Sequence, residues 1–334
     1  ISKDSTELRA FLYLGQQFQM MQLSKGNVPE EILSEVGFRE KIYNKKPLNY
    51  KNIRKLQEKI LTYCENNGFP FASVSLDSIT INNGNISGRL FIQKKSEVKV
   101  DSISIKGTAR ITKVYLHNYL SIKPGSLYNE ALVKQISTRL RELPFLSEIK
   151  PFEIAFKEKN AVIYLYLENK KASQFDFIAG LLPDNINPGK VIFTGEAHLK
   201  LHNSYGRGEV LEINWRSPLP LTQDLKAKLT YPFVLSTPFG LDLNFALYKK
   251  DTTFLDVMKN VGILYMLKGG NYLKVFVTDK QSSLLSTKRY ENTTVRPEFL
   301  DVNHISYGLG IRAEKLDYRF NPRRGFFVET NASA

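Results

Sequence analysis

The residues whose types suit chemistry are few in this 334-residue chain, and their spacing does not assemble them. His198 and His202 stand four apart, a zinc-ligand spacing on a helix. The run from Phe193 to Leu201 alternates in polarity and reads as a strand. Both rings then share a face with Lys200 between them, which repels a cation. His117 and His304 have no partners at ligand spacing. Gly308-Leu309-Gly310 lies in a strand pattern and opens no helix, so it cradles no phosphate. The sequence holds no G-x4-G-K-S/T, G-x-G-x-x-G or C-x-x-C motif and no nucleophile elbow. Cys64, the one cysteine, excludes an internal disulfide; its place in a helical pattern makes it a small buried residue. The expectation is a protein that is not an enzyme, without catalytic residues, metal or cofactor.

Two segments suit non-covalent chemistry instead. Phe175, Asp176, Phe177, Ile178, Ala179 and Gly180 lie in an alternating strand, Gln174–Leu182. Gly180 weakens that strand, Ala179 and Gly180 offer a neighbour little packing, and Pro183 removes a ladder donor at its end. A strand of that composition packs and pairs weakly with a neighbour. The second segment is Asp317-Tyr-Arg-Phe-Asn-Pro322-Arg-Arg-Gly325. Pro322 pre-sets a turn and Gly325 permits positive φ before the next strand.

The elements that carry these segments change character near Lys170. Upstream, helical and strand patterns alternate. Leu48–Asn67 reads as a helix with Ile53, Leu56, Ile60 and Cys64 at helical spacing, ended by Gly68. Strands follow at Phe71–Thr80 and Asn85–Gln93 around Asn83-Gly84. Val98–Lys106 reads as a strand, Thr112–Leu120 and Asn129–Leu143 as helices, and Glu148–Lys157 and Ala161–Glu168 as strands. The order over 98–170 is β-α-α-β-β, and residues 48–97 repeat its last three elements. Residues 1–47 hold a predicted helix, Glu7–Met21, and the start of that repeat or the tail of an earlier one.

Downstream, no helical pattern returns. About nine alternating strands are expected, near 174–182, 190–201, 208–217, 223–233, 240–250, 257–268, 271–280, 304–318 and 326–334. Leu211, Ile213 and Trp215 oppose Glu212, Asn214 and Arg216; Leu225, Ala227, Leu229 and Tyr231 oppose Lys226, Lys228 and Thr230. A soluble sandwich has one wet face too, but here the second face is ionisable in strand after strand, which suits a water-filled lumen. The apolar face carries Trp215, Tyr231 and Tyr265 near strand ends, as membrane-interface aromatics do. Turning Lys226 and Lys228 toward lipid costs ~2–4 kcal/mol each at mid-bilayer, which sets the register.

The mean hydropathy is −0.27 and no run of 18 apolar residues exists, so a transmembrane helix is excluded and a barrel is not. The net charge of +14 is spread along the chain without interleaved stacking aromatics, which disfavours nucleic acid. The chain starts at Ile1 without a leader pattern, as expected of a cytoplasmic protein or one whose signal peptide has been removed.

The β-α-α-β-β order, the stretch Asn67-Gly-Phe-Pro-Phe-Ala-Ser-Val74 and Pro124-Gly-Ser-Leu-Tyr-Asn129 before a long helix resemble POTRA domains. Such modules precede the barrel in BamA/TamA-type outer-membrane insertases. The Asp317, Pro322, Gly325 spacing resembles the periplasmic turn after the eighth barrel strand. Phe175-Asp-Phe-Ile-Ala-Gly-Leu-Leu-Pro-Asp184 resembles the first barrel strand of the Bacteroidetes branch, and Asn203-Ser-Tyr-Gly-Arg-Gly-Glu209 its next periplasmic turn. The Val-Arg-Gly-Phe/Tyr lid motif of the family does not occur; Val295-Arg296-Pro297 lacks its glycine.

The resemblance implies α+β POTRA modules followed by an antiparallel transmembrane β-barrel, incomplete here with about nine strands of a probable sixteen. Residues 1–97 and 98–170 would be POTRA-like modules and 171–334 the N-terminal part of the barrel. Lys268-Gly269-Gly270 would be a periplasmic turn and Gln281–Asn303 an extracellular loop. It implies residence in the bacterial outer membrane with the modules in the periplasm. Its implied partners are unfolded outer-membrane proteins, accessory outer-membrane or periplasmic subunits and the lipid bilayer, with no nucleic acid. The strand at 174–182 would be a lateral gate. Two other readings stay open: a protein secretion pore or assembly module for a narrow client set, and a barrel-anchored enzyme whose catalytic domain lies outside these residues.

Overall fold

The computed structural model describes residues 11–13, 19–43, 46–47, 49–82, 84–183, 189, 191–286, 301–316 and 322–334. The chain divides into two compact units, residues 1–99 with 127–131, and residues 100–126 with 132–334.

The first unit contains β1 (Gln19–Ser24), α1 (Glu30–Val36), β2 (Lys46–Pro47), α2 (Tyr50–Asn66), β3 (Ser73–Asn82) and β4 (Asn85–Gln93). Ile53, Leu56, Ile60 and Cys64 form one buried stripe of α2, packed with Leu23, Ile32, Leu33, Leu90 and Ile92. Asn49 caps α2 by accepting the Asn52 amide at 3.3 Å. The sheet order is β2-β1-β4-β3, and β1 runs parallel to β4. The predicted helix Glu7–Met21 is therefore corrected at its end: Gln19, Met20 and Met21 belong to β1. Their partner strand lies more than 60 residues downstream, and that pairing overrides local helical spacing.

The α/β portion that follows comprises β5 (Lys99–Gly107), α3 (Lys113–Leu120), α4 (Glu130–Lys134), α5 (Ile136–Arg141), β6 (Leu146–Lys157) and β7 (Asn160–Asn169). Its strand order, β5-β7-β6, matches β1-β4-β3, which places the internal repeat in three dimensions. Thr112 caps α3 by accepting the Tyr115 amide at 3.3 Å. The predicted helix Asn129–Leu143 is two short helices. The Gln135 amide bonds the Leu132 carbonyl, a tight i to i+3 link that breaks the α-helical run.

The remaining chain forms one antiparallel sheet of nine strands in sequence order: β8 (Gln174–Pro183), β9 (Val191–His202), β10 (Val210–Ser217), β11 (Gln223–Tyr231), β12 (Phe239–Lys250), β13 (Phe254–Met266), β14 (Tyr272–Leu284), β15 (Val302–Leu316) and β16 (Gly325–Ser333). β14 and β15 extend into the predicted loop Gln281–Asn303, because Gln281 pairs with Asn303 and Ser282 with Val302. The register keeps one face mainly apolar: Leu211 lies between Leu201 and Leu229, and Leu225 between Trp215 and Leu247, while Lys259 and Asp279, 3.6 Å apart, are charges on that face. The other face is polar: Glu212 lies between Lys200 and Lys228, and Asn260 between Asn244 and Thr278. This polar face is concave. Residues of β9 and β15 line one cavity, although six ladder spacings of ~4.8 Å would hold them ~29 Å apart in a flat sheet.

Candidate functional site

One edge of the nine-stranded sheet is β8, which contains the segment 175–180; the other is β16. β8 is hydrogen-bonded to β9 from Gln174↔Lys200 to Pro183↔Val191, and among the described residues no strand lies on its other side. Phe175 and Phe177 sit on the apolar face, 68% and 59% exposed, across from Leu199 and Ala197. Asp176, Ile178 and Gly180 lie on the polar face. Asp176 approaches His198 at 3.6 Å, and His198 approaches Glu212 at 3.7 Å, so charges line the concave side of the edge. Ala179 faces outward opposite Gly195, a pair that supplies almost no side-chain packing. His202 lies one turn of the pleat beyond Lys200 on the same polar face as His198.

At one end of the sheet the turns 203–209, 232–238 and 267–271 meet the α/β portion. Asn203 donates to the Arg110 carbonyl at 2.9 Å, and the Thr112 amide donates to the Gly206 carbonyl at 2.8 Å. Glu209 is buried and accepts the Tyr205 and Arg207 amides at 2.5 and 3.1 Å, which fixes the shape of its turn. Tyr115 of α3 is the centre of this clamp. It stacks on Tyr119, meets Phe145 and Phe233 edge-on at centroid distances of 6.1 and 5.6 Å, and lies directly over Gly208. Arg139 of α5 lies against Gly269 and pairs with buried Glu142 at 3.2 Å. Above the clamp is a cavity of about 500 Å3 lined by Tyr115, Glu142, His202, Lys228, Tyr272 and Arg312 among others.

The concave wall holds a network that the sequence did not single out. Lys274 and Asp242 form an ion pair at 2.5 Å with only 10% and 8% of their side chains exposed. Thr230 and Asn244 donate to the same carboxylate at 3.0 and 3.3 Å. Alternation along β12 and β14 carries both residues to the polar face, but nothing local pairs positions 32 apart. Tyr115, Phe233 and Gly208 were missed for the same reason; the sequence showed an apolar helix residue and a turn glycine, not their meeting.

Of the turn residues, Asp317 lies outside the described residues. Pro322 precedes β16, and Gly325 opens it with φ 124°. A Cβ at Gly325 would sit 1.9 Å from the Lys315 carbonyl oxygen, so the β15–β16 crossing requires glycine there.

The POTRA family, described as a surface antigen variable number repeat, matches residues 98–168. A search of curated protein sequences finds no match. Among solved structures, BamA from Haemophilus ducreyi lacking POTRA domains 1–3 superposes with a TM-score of 0.53 at 12% identity, covering 96% of this chain and 63% of that one. CdiB from Acinetobacter baumannii gives 0.54 at 12% identity over 94% and 62%. CdiB from Escherichia coli gives 0.50 at 12% identity over 94% and 58%. The chain therefore spans about three fifths of the length of these structures. Residues 98–168 are a POTRA domain, and the chain as a whole has the BamA-type fold, in which such a domain leads into an antiparallel barrel sheet.

Proposed function

We propose that this chain is part of an outer-membrane factor that inserts or transports other proteins, with its POTRA domain in the periplasm. More finely, it receives unfolded outer-membrane proteins and templates their strands along β8. The observation that carries this reading is the state of β8: a strand at the edge of an apolar-outside, polar-inside sheet, paired on one side, with Phe175 and Phe177 on the apolar face. Backbone groups left unpaired in hydrocarbon cost several kcal/mol each, so the outer edges of β8 and β16 demand partner strands. Further wall strands satisfy both edges at rest, and an incoming client strand satisfies β8 when that seam opens. Ala179, Gly180 and Pro183 keep the seam weak.

Cysteines at Phe177 or Ala179 test this directly. Each should form a disulfide with the terminal strand of a stalled client, and locking β8 to the strand that closes the wall should stop assembly. Wild-type assembly by the locked protein refutes the gate. Transport of a narrow client set is the second reading, favoured by the polar concave wall, and it predicts clients recovered beyond the membrane rather than in it.

A further inference from the structure

The turn 232–238 between β11 and β12 holds three non-glycine residues in the left-handed region: Phe233, Leu235 and Ser236, with φ of 55°, 51° and 65°. Bulky side chains rarely adopt such backbone, and it persists where surrounding contacts impose it. Here it sends two apolar side chains opposite ways. Phe233 packs edge-on against Tyr115, and Leu235 stands 90% exposed. Beside Leu235 opens a smaller cavity of about 200 Å3, lined by Thr112, Val114, Arg207, Tyr231, Leu235 and Ser236 among others. Tyr115 and Phe233 line both cavities, so this ring pair separates the smaller one from the one over the concave face.

The smaller cavity belongs to the apolar side of the wall, at the end where the POTRA domain attaches. Tyr231 ends β11 on the apolar face, in a row with Leu241 and Ile263. Its hydroxyl accepts from Arg207 at 2.5 Å, which leaves the phenolic proton to donate. The Arg207 guanidinium has further N–H donors in the same plane, the fork that matches phosphate oxygens. Among the described residues Arg207 is the one charged group lining the cavity, and no carboxylate does. The nearby Glu209 carboxylate is engaged by the Tyr205 and Arg207 amides. Lys113, exposed, follows Thr112 and adds positive charge. The site is thus a cationic pocket with an apolar lip, Val114 and Leu235, at the height where the apolar wall ends. A ligand that is a phosphate at one end and hydrocarbon at the other meets each of these groups, its tail lying along Leu241 and Ile263.

Resting on the reading that the sheet spans a bilayer, we propose that this cavity binds an anionic phospholipid of the periplasmic leaflet. Arg207 and Tyr231 hold its phosphate, and Val114 and Leu235 flank the start of its acyl chains. The full chain is reconstituted in phosphatidylcholine vesicles containing phosphatidylglycerol with a diazirine near the head of one acyl chain. After photolysis, adducts are mapped by peptide mass spectrometry. They should concentrate on Val114 and residues 231–236 over the wall segment 257–263, and Arg207→Gln should lower them there at least about tenfold. Tyr231→Phe keeps the ring and the turn and should lower them as well, so the test does not hang on Arg207 alone. Adducts spread evenly over the wall and unchanged by both variants overturn this inference alone. So does equal labelling by diazirine phosphatidylcholine, which removes the preference for an anion. Displacement by excess glycerol 3-phosphate means a site for soluble phosphate, and also overturns it. No adducts anywhere on the apolar face removes the bilayer reading itself.

Discussion

The clamp between the POTRA domain and the sheet makes a quantitative prediction through Gly208. That residue has φ 74°, and a Cβ added to it would lie 2.1 Å from Tyr115 Cε2 and 2.6 Å from its Cζ. Gly208→Val therefore imposes two costs. A side chain in the left-handed region costs ~1–2 kcal/mol, and expelling the Tyr115 ring from a packed site costs ~1–3 kcal/mol. The docked state should lose ~2–5 kcal/mol, and at 1.4 kcal/mol per factor of ten its opening should rise at least ~30-fold. Amide hydrogen exchange reads this at Thr112, whose N–H bonds the Gly206 carbonyl across the clamp. Ile163, inside the POTRA sheet and paired with Ile154, serves as the control. Exchange should accelerate at Thr112 and not at Ile163, and Tyr115→Leu in the Gly208→Val background should recover part of the loss. If Thr112 exchanges at the parent rate, the clamp does not hold the domain. Equal acceleration at Ile163 means the POTRA domain has unfolded instead.

Three further outcomes are expected. Asp242→Asn or Lys274→Met leaves one buried charge of the concave wall unpaired, which costs ~3–5 kcal/mol, while Asp242→Leu with Lys274→Met costs less; urea unfolding in detergent micelles measures both, and equal single and double losses refute the pairing. Gly325→Ala sets a methyl into the Lys315 carbonyl, so β16 should detach from β15 and the Arg312–Glu329 approach at 3.8 Å should be lost, which a crosslink between Ala313 and Val328 positions reports. In the POTRA domain, a hydrogen bond from Lys150 at 2.6 Å, reinforced by one from Tyr166 at 2.6 Å, holds the Glu153 carboxyl below its ordinary value. A depressed carboxyl contributes stability above its unfolded value and loses it as pH falls through the folded value. Lys150 is raised by the same bond, so its contribution is lost only as pH rises through that raised value. A Glu153 titration midpoint by NMR at or above that of an unpaired glutamate contradicts this.

The sheet was legible because its physics is local. A period of two with one apolar and one polar face leaves no freedom of register, so Leu211, Ile213 and Trp215 against Glu212, Asn214 and Arg216 already state which side is which. β4, at Asn85–Gln93, agrees with its expected bounds because Asn83-Gly84 marks the turn before it. What failed depends on distant partners. Gln19–Met21 carries no sign of the strand 66 residues away that makes it β1. α1 is 7 residues long, too short for two repeats of a helical stripe. The break at Gln135 turns on one carbonyl choosing the third amide rather than the fourth. For the edge strand, the sequence indicated weakness at Ala179 and Gly180, and the structure adds what faces them, Gly195 and Thr194.

The clamp and the edge strand bear on each other through where the clamp attaches. Its contacts fall on the turns 203–209, 232–238 and 267–271, which follow β9, β11 and β13. β8 enters from the POTRA domain through residues 170–173, where the Lys170 amide bonds the Phe145 carbonyl and Ser173 accepts the His202 amide at 3.1 Å. The domain is thus fastened to the wall, not to the edge. In the proposed mechanism β8 moves away from the strand that closes the barrel while β9 to β14 stay fixed to the POTRA domain. The free energy of opening then resides in one ladder flanked by Ala179 and Gly180, and none of the aromatic contacts of Tyr115 need break. A domain docked through β8 itself would have to release those contacts each time a client strand entered, adding ~0.5–1.5 kcal/mol for each aromatic pair to every cycle. In that proposal, fixing the domain to the neighbouring turns would keep a receiving surface beside the edge and leave that edge free to exchange partners.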